Sequence, residues 1–387
     1  MQFIIFFIII AALFYSGFGP LLMGERRNLQ QETPSIIQES VPQKQSAKKQ
    51  TSVKYIGTAT IVMPEQPVSL IDTYITAGPK EGSVIEDTNK VVFEFEAIIS
   101  PKETEGRISF ETKIEGFDDD WKKTYSKKRT INLPPGPQEY IFLVRAKIKD
   151  SVDPTPAKRT FKINTSPYFG KVKISRAITQ TSSRPSLITL NTYLKEEVSI
   201  TGWQIRGKAG SFVIPQGIEK YHPGYNPVPK ESIFVKKGDR VYLSGSLNPL
   251  GRGRNFRPNK CFGYLAEYRD FPISFPINCP KPTREEISHL NPCCQEFILR
   301  MRTCEIPDYS SNLKISTDSE CVSYLSENFN YTSCFMDHSR DEDFLGRDWH
   351  IYMNSNILAS NDCDILYLRD QNGLVVDKYS YGRPVCK

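Results

Sequence analysis

The cysteines of this chain are confined to its C-terminal part. None precedes Cys261, and the full set is Cys261, Cys279, Cys293, Cys294, Cys304, Cys321, Cys334, Cys363 and Cys386. Cys293 and Cys294 are adjacent, and the other cysteines are widely separated in the sequence. Zinc sites need pairs of ligands a few residues apart, so disulfides are favoured over metal binding. Nine is an odd number, so at least one thiol is free or bonds another chain. The pairing cannot be deduced from sequence order.

The chain opens with an apolar segment, residues 3–23, that contains no acidic or basic side chain. This length is enough to cross a bilayer. An uncleaved anchor is favoured over a signal peptide, because no basic segment precedes it and no A-x-A-like site follows. By the positive-inside rule, Arg26 and Arg27 favour a cytoplasmic location for the chain that follows the apolar segment. Disulfides, however, need an oxidising space, which the cytoplasm does not provide. We therefore predict a single-pass protein of the cell membrane, with its C-terminal domains extracytoplasmic.

The remaining chain has the composition of a tether followed by β domains. Residues 24–52 are rich in Gln, Ser, Glu and Lys and poor in aromatic residues, which predicts a disordered linker. Further on, 27 prolines, 23 glycines and 19 tyrosines in the chain suit many short strands separated by turns. We expect a mainly β fold with two immunoglobulin-like β-sandwiches, at residues 53–167 and 168–387.

The first predicted sandwich has three segments that alternate apolar and polar residues, at 91–99, 107–115 and 140–148. Trp121 is expected in its core, and the acidic run Asp118, Asp119 and Asp120 in solvent. The sequences KIEGFDDDW at 113–121 and NLPPGPQEYIFLVRAK at 132–147 resemble the three-tyrosine repeat-associated domain of extracellular sensor proteins, a relative of fibronectin type III sandwiches. This resemblance implies a spacer or interaction module.

The second predicted sandwich is defined by its two ends. The sequences ITGWQIR, FVIP, ILYLRD and NGLVVDKYSY, between residues 200 and 381, resemble the start and end of a lamin tail domain, an immunoglobulin-like sandwich also found in secreted or surface-attached bacterial proteins. Asn372-Gly373 is a strong hairpin signal. The resemblance implies that Trp203 is a core residue. The chain departs from the family in a long insertion, residues 218–348, which carries every cysteine except Cys363 and Cys386.

The insertion contains helical patterns. Thr283 and Glu286 form a capping-box sequence ahead of a first helix, and a second helix is predicted from Cys293 to Cys304. Residues 319–329 predict a third. We expect disulfides to crosslink these helices and to compensate for a small core.

Two groups of side chains are candidate sites. The basic loop at 250–260 offers Arg252, Arg254, Phe256 and Arg257, which could contact an anionic wall polymer, a glycan or a nucleic-acid backbone; an ordinary surface loop is favoured. His338 and His350 flank an acidic segment, for which a solvated loop is favoured over a metal site.

No nucleophile-elbow, metalloprotease or phosphate-loop motif occurs in the sequence, so no catalytic residue, metal or cofactor is predicted. The expected function is binding or adhesion at the cell surface, with an unknown surface protein, glycan or wall polymer as partner. Two alternatives stay open. One is a wall-modifying hydrolase or metalloenzyme using His338 and His350, and the other is an extracellular nucleic-acid binder using the basic loop.

Overall fold

The structure, a computed structural model, describes residues 70–100, 106–225, 227–359 and 363–382. The expected mainly β fold is confirmed. The predicted anchor at 3–23 and linker at 24–52 lie outside the described residues. Within the described ranges, no helix has both the length and the apolar character needed to cross a membrane.

The first sandwich packs a three-stranded sheet, β1-β3-β6, against a larger sheet in the order β2-β9-β7-β4-β5, with β8 paired to β7. Buried side chains alternate with partly exposed ones along much of β3 and β7, as the period-two sequence pattern predicts. The strands are β1 (Leu70–Ala77), β2 (Ser83–Ile85), β3 (Lys90–Ser100), β4 (Ser109–Glu115), β5 (Lys122–Thr124), β6 (Lys128–Asn132), β7 (Pro137–Ile148), β8 (Ser151–Val152) and β9 (Ala157–Asn164).

Phenylalanine rings fill the core of the first sandwich. Phe93 of β3 stacks on Phe142 of β7 with ring centroids 3.9 Å apart, and Phe161 of β9 packs beside them. Trp121 is only half-buried, with the Arg145 guanidinium over its ring at 4.3 Å. The prediction that Trp121 fills the core is therefore wrong, because phenylalanines from both sheets already occupy that space.

The second sandwich consists of the sheets β10-β11-β16-β17 and β14-β13-β18-β19, with β12 and β15 as a separate pair. Trp203 is buried in the core, as expected, and Asn372-Gly373 lies in the turn between β18 and β19. The strands are β10 (Val172–Ile178), β11 (Leu187–Thr192), β12 (Val198–Ser199), β13 (Gln204–Gly207), β14 (Gly210–Val213), β15 (Phe234–Val235), β16 (Arg240–Ser244), β17 (Asp348–Tyr352), β18 (Asp364–Arg369) and β19 (Val375–Tyr381).

The insertion is shorter than the predicted 218–348. Its two ends are held by the parallel pairing of β16 with β17, so it runs between Ser244 and Asp348. The segment from 218 to 244 instead supplies β15 and β16 to the second sandwich. The helices of the insertion are α1 (Gly263–Ala266), α2 (Pro292–Arg300), α3 (Leu313–Ser316), α4 (Ser319–Asn328) and α5 (Tyr331–His338).

The predicted helices are found in part. The Thr283 hydroxyl and Glu286 carboxylate make the capping-box contacts, but residues 284–289 form turns and not a helix. The helix predicted from Cys293 is α2, which begins at Pro292 after the side chain of Asn291 caps it. It ends before Cys304, whose φ of 63° is incompatible with a right-handed helix.

Candidate functional site

Three disulfides hold the insertion together. They are Cys261–Cys334, Cys279–Cys304 and Cys294–Cys321, with Cα atoms 5.8, 5.2 and 5.8 Å apart. Cys363 is also disulfide-bonded, and Cys293 is exposed and free. The last predicted disulfide candidate, Cys386, lies outside the described residues. The expectation that the cysteines form disulfides is thus confirmed for those that the three bonds join.

The disulfides join the helices to one another around a separate hydrophobic cluster. Cys294 and Cys321 connect α2 to α4, and Cys334 ties α5 to the segment before α1. Phe262 lies at the centre, with its ring 4.7 Å from that of Phe256 and 5.8 Å from that of Tyr331. This cluster is separate from the core of the second sandwich, although Ile218, Tyr221 and Tyr352 join it from outside the insertion.

A cavity of about 330 Å³ opens beside α4 and α5. The rings of Tyr264, Tyr324 and Phe329 contribute to its wall, together with the disulfide-bonded Cys334. Its polar lining comes from the turn before α2, the end of α4 and the end of α5, through Lys281, Glu286, Asn328, Asp337 and His338.

The charged groups of the cavity are partly held by local contacts. The backbone N–H and hydroxyl of Thr283 donate to Glu286 at 2.6 and 3.0 Å, and these bonds lower the pKa of Glu286. His338 Nδ1 lies 2.9 Å from Asp341 Oδ2, a contact that lowers the pKa of Asp341. The Lys281 ammonium donates to the Met301 carbonyl. Glu286 is therefore a carboxylate at neutral pH.

The tyrosines of the cavity are neutral. Burial raises the pKa of Tyr264 to about 12. Burial and the nearby charge of Glu286 also raise the pKa of Tyr324. The cavity thus combines aromatic rings with protonated phenols and carboxyl groups, a combination suited to a ligand with both apolar faces and hydroxyl groups.

The four candidate residues of the basic loop differ in burial. Phe256 is fully buried against Phe262, so the prediction that it contacts a ligand is wrong. Arg257 donates to the Gly346 carbonyl at 2.6 Å and is ion-paired with Glu219 at 3.2 Å. Arg254 is half-buried and Arg252 is exposed. Ligand binding by these three arginines stays a prediction.

The two histidines proposed for a metal site have different surroundings. His338 lines the cavity and contacts Asp341, whereas His350 is fully buried, with its ring centroid 5.4 Å from that of Phe256. Across the described ranges, no group of three or more histidine, cysteine and carboxylate side chains is arranged to hold a metal ion. His350 therefore has a packing role.

Sequence reasoning did not find Tyr324 and Asn328, the residues of α4 that line the cavity. Their four-residue spacing indicates one helix face. The sequence does not indicate which residues lie opposite this face of α4. The turn at 281–286 lies there because the fold and its disulfides bring it close.

No protein-family model matches the chain, and no curated protein matches it. Among solved structures, it is similar to the extracellular domain of the putative one component system BT4673 from B. thetaiotaomicron (21% identity, 27% of this chain, 16% of that chain, TM-score 0.19). It is also similar to the chicken CNTN1 FN1-FN3 domains, with 10% identity over 44% of this chain and 53% of that chain and a TM-score of 0.19. A third similar structure is chitinase ChiA74 from Bacillus thuringiensis, with 12% identity over 46% of this chain and 27% of that chain and a TM-score of 0.19.

The chain spans less than two thirds of the length of each of these solved chains. A TM-score of 0.19 is too low for these structures to support a conclusion about the fold or activity of this chain. The β-sandwich architecture rests instead on the strand pairing and on the hydrophobic clusters enclosed between the sheets.

Proposed function

We propose that this chain is a non-enzymatic, membrane-anchored extracytoplasmic protein that binds or adheres through its second sandwich and the insertion. The observation that carries this proposal is the set of three disulfides in the insertion. Disulfides of this kind persist in oxidising compartments, and they are rare in the cytosol.

The resemblances found in the sequence support the same function. A lamin-tail-like second sandwich and a three-tyrosine-like first sandwich are both modules of proteins that act outside the cytoplasm. In this proposal the apolar segment at 3–23 anchors the chain in the membrane. The linker separates the folded domains from the membrane, and the first sandwich acts as a spacer. The insertion, which connects the paired strands β16 and β17, contacts a surface protein, a glycan or a wall polymer.

The full chain, expressed in a bacterial host with its own N-terminus, tests this function. We expect it in the membrane fraction, with its second sandwich accessible to protease added outside intact cells after removal of any outer barrier. Peptide mapping under non-reducing conditions should recover the three disulfides, and alkylation should label Cys293. Reduced cysteines in a protease-protected protein, or stoichiometric bound zinc, would overturn the proposal.

A further inference from the structure

We propose that the cavity beside α4 and α5 binds one neutral sugar ring of a glycan. This inference rests on the proposed binding function, for which it names the ligand class. The cavity volume of about 330 Å³ lies within the range of small-ligand sites. It belongs to the insertion, the part of the chain that departs from the domain that the second sandwich resembles.

The aromatic wall of the cavity matches the apolar face of a sugar ring. Tyr324 lies between two other rings, with its centroid 5.7 Å from that of His289 and 6.3 Å from that of Phe329. Both contacts are edge-on. Tyr324 is half-buried, and its ring also borders the cavity. The electron-rich face of an aromatic ring attracts the weakly positive C–H groups that line one side of a pyranose.

The polar lining matches the hydroxyl groups of the same ring. Glu286 and Asp337 are exposed carboxyl groups that accept hydrogen bonds, and Asn328 offers an amide oxygen while its nitrogen donates to the Tyr324 carbonyl at 2.8 Å. Sugar hydroxyls are donors to such acceptors. The lining holds two carboxyl groups, Glu286 and Asp337, and one ammonium, that of Lys281, which keeps its positive charge while it donates to the Met301 carbonyl. An anionic sugar would therefore face more negative than positive groups. A neutral sugar is therefore the favoured ligand.

The disulfides hold this cavity in place before any ligand arrives. Cys334 in the wall is bonded to Cys261, and α4 is bonded to α2 through Cys321. The first turn of α4 is capped by Asp318 and that of α5 by Asn330. A site whose walls are already ordered loses less conformational entropy on binding. This ordering gives the disulfides a role in binding as well as in stability.

Saturation-transfer NMR on the purified full chain tests the proposal, with the methyl glycosides of glucose, galactose, mannose and N-acetylglucosamine as probes. The detergent must carry no sugar headgroup. We expect transfer to at least one glycoside. Affinity should fall about tenfold or more in Asp337→Ala, which loses a charged acceptor, and similarly in Tyr324→Ala, which loses the stacking ring.

Matched controls are available on the sandwiches. Asp120→Ala removes an exposed carboxylate, and Tyr193→Ala removes a tyrosine that is 56% exposed; both should bind as the unmodified protein does. Because Tyr324 packs against the cluster of the insertion, its variant is checked by thermal melting. The exposed Asp337 provides a variant that keeps the fold.

Absence of transfer from all four glycosides would overturn the sugar proposal. Transfer that persists unchanged in Asp337→Ala and Tyr324→Ala would also overturn it, because the sugar would then bind elsewhere. Neither result changes the outcome expected in the localisation and disulfide assays that test the proposed function. Conversely, a reduced, protease-protected protein in cells would overturn that function and leave the NMR result on purified protein unchanged.

Discussion

Asp118 shows how one member of an acidic run can differ from its neighbours. Burial opposes ionisation of its carboxyl group, but contacts with Lys122, the Ile114 N–H and Arg129 outweigh burial and lower the pKa of Asp118. The sequence predicts a solvated run because acids in turns are usually exposed. That prediction is wrong for Asp118, because Arg129 comes from β6, a strand whose position the local sequence does not reveal.

Two of the three tryptophans, Trp121 and Trp203, show which residue predictions succeed. Trp203 stands between two strand-like segments of the sequence, and it is buried at 1% exposure. Trp121 follows a turn, where the local pattern does not distinguish a core ring from one that covers the sheet surface. The Arg145 guanidinium lies over that ring, and this contact depends on the pairing of β4 with β7.

His350 is predicted to make stability depend on pH. Burial lowers its pKa from 6.5 to about 3. Both ring nitrogens are buried without a hydrogen-bond partner. Between pH 6.5 and 3 the unfolded chain therefore takes up a proton that the folded chain excludes, and stability falls as the pH falls through this range. Above pH 6.5 the histidine is neutral in both states and contributes no slope.

The variant His350→Phe should lack the contribution of His350 to the pH dependence of the free energy of unfolding, because phenylalanine has no titrating group. At pH 7 its free energy of unfolding should be unchanged or higher by about 1 kcal/mol, since two unsatisfied nitrogens are removed. Urea titrations at pH 7 and pH 5 measure both effects. The control His289→Phe, at an exposed histidine, should keep the slope. A His350→Phe protein with the full pH dependence would contradict the prediction.

At the scale of elements, the helix predicted at 319–329 matches α4 within one residue, and the structure shows that the side chain of Asp318 caps its first turn. The sequence does not separate β15 and β16 from the insertion. Both are short, at Phe234–Val235 and Arg240–Ser244. Their long-range pairing shows that they belong to the sandwich: β15 pairs with β12, and β16 pairs with β11 and, across the whole insertion, with β17.

The bond between α2 and α4 is predicted to stabilise both helices. Cys294 and Cys321 are 27 residues apart, and a crosslink over such a loop contributes about 3 kcal/mol. In the double variant Cys294→Ala and Cys321→Ala, amide hydrogen exchange should accelerate in α2 and α4 and stay unchanged in the sandwich strands. Cys293→Ala is a matched control, because its thiol is adjacent but free. Unchanged exchange in α2 and α4 would contradict the prediction.

At the scale of the whole molecule, the described chain contains separate hydrophobic clusters in the first sandwich, the second sandwich and the insertion. The sequence predicts the first sandwich from strand periodicity, the second from a family resemblance at its two ends, and a disulfide-rich insertion from the cysteine distribution. It could not predict the cavity, because the cavity walls come from α4, α5 and a turn that are separate in sequence and meet only in the folded chain.

Because the three disulfides all lie in the insertion cluster, reduction should affect that part of the molecule first. The first sandwich contains no cysteine, and the core of the second is built from paired strands, with the disulfide-bonded Cys363 beside β18. In scanning calorimetry of the oxidised chain, we expect the insertion to unfold together with the second sandwich through the β16–β17 pairing. With reductant, an additional transition should appear at lower temperature.

Limited proteolysis of the reduced protein locates that transition. Cleavage should begin between Ser244 and Asp348, where loss of the crosslinks exposes chain that has little regular structure, while strands β1 to β9 stay intact. The oxidised protein under the same protease is the control. If reduction instead leaves the insertion resistant, or cleaves the first sandwich first, then packing rather than disulfides holds the insertion. The cavity would then keep its shape without them.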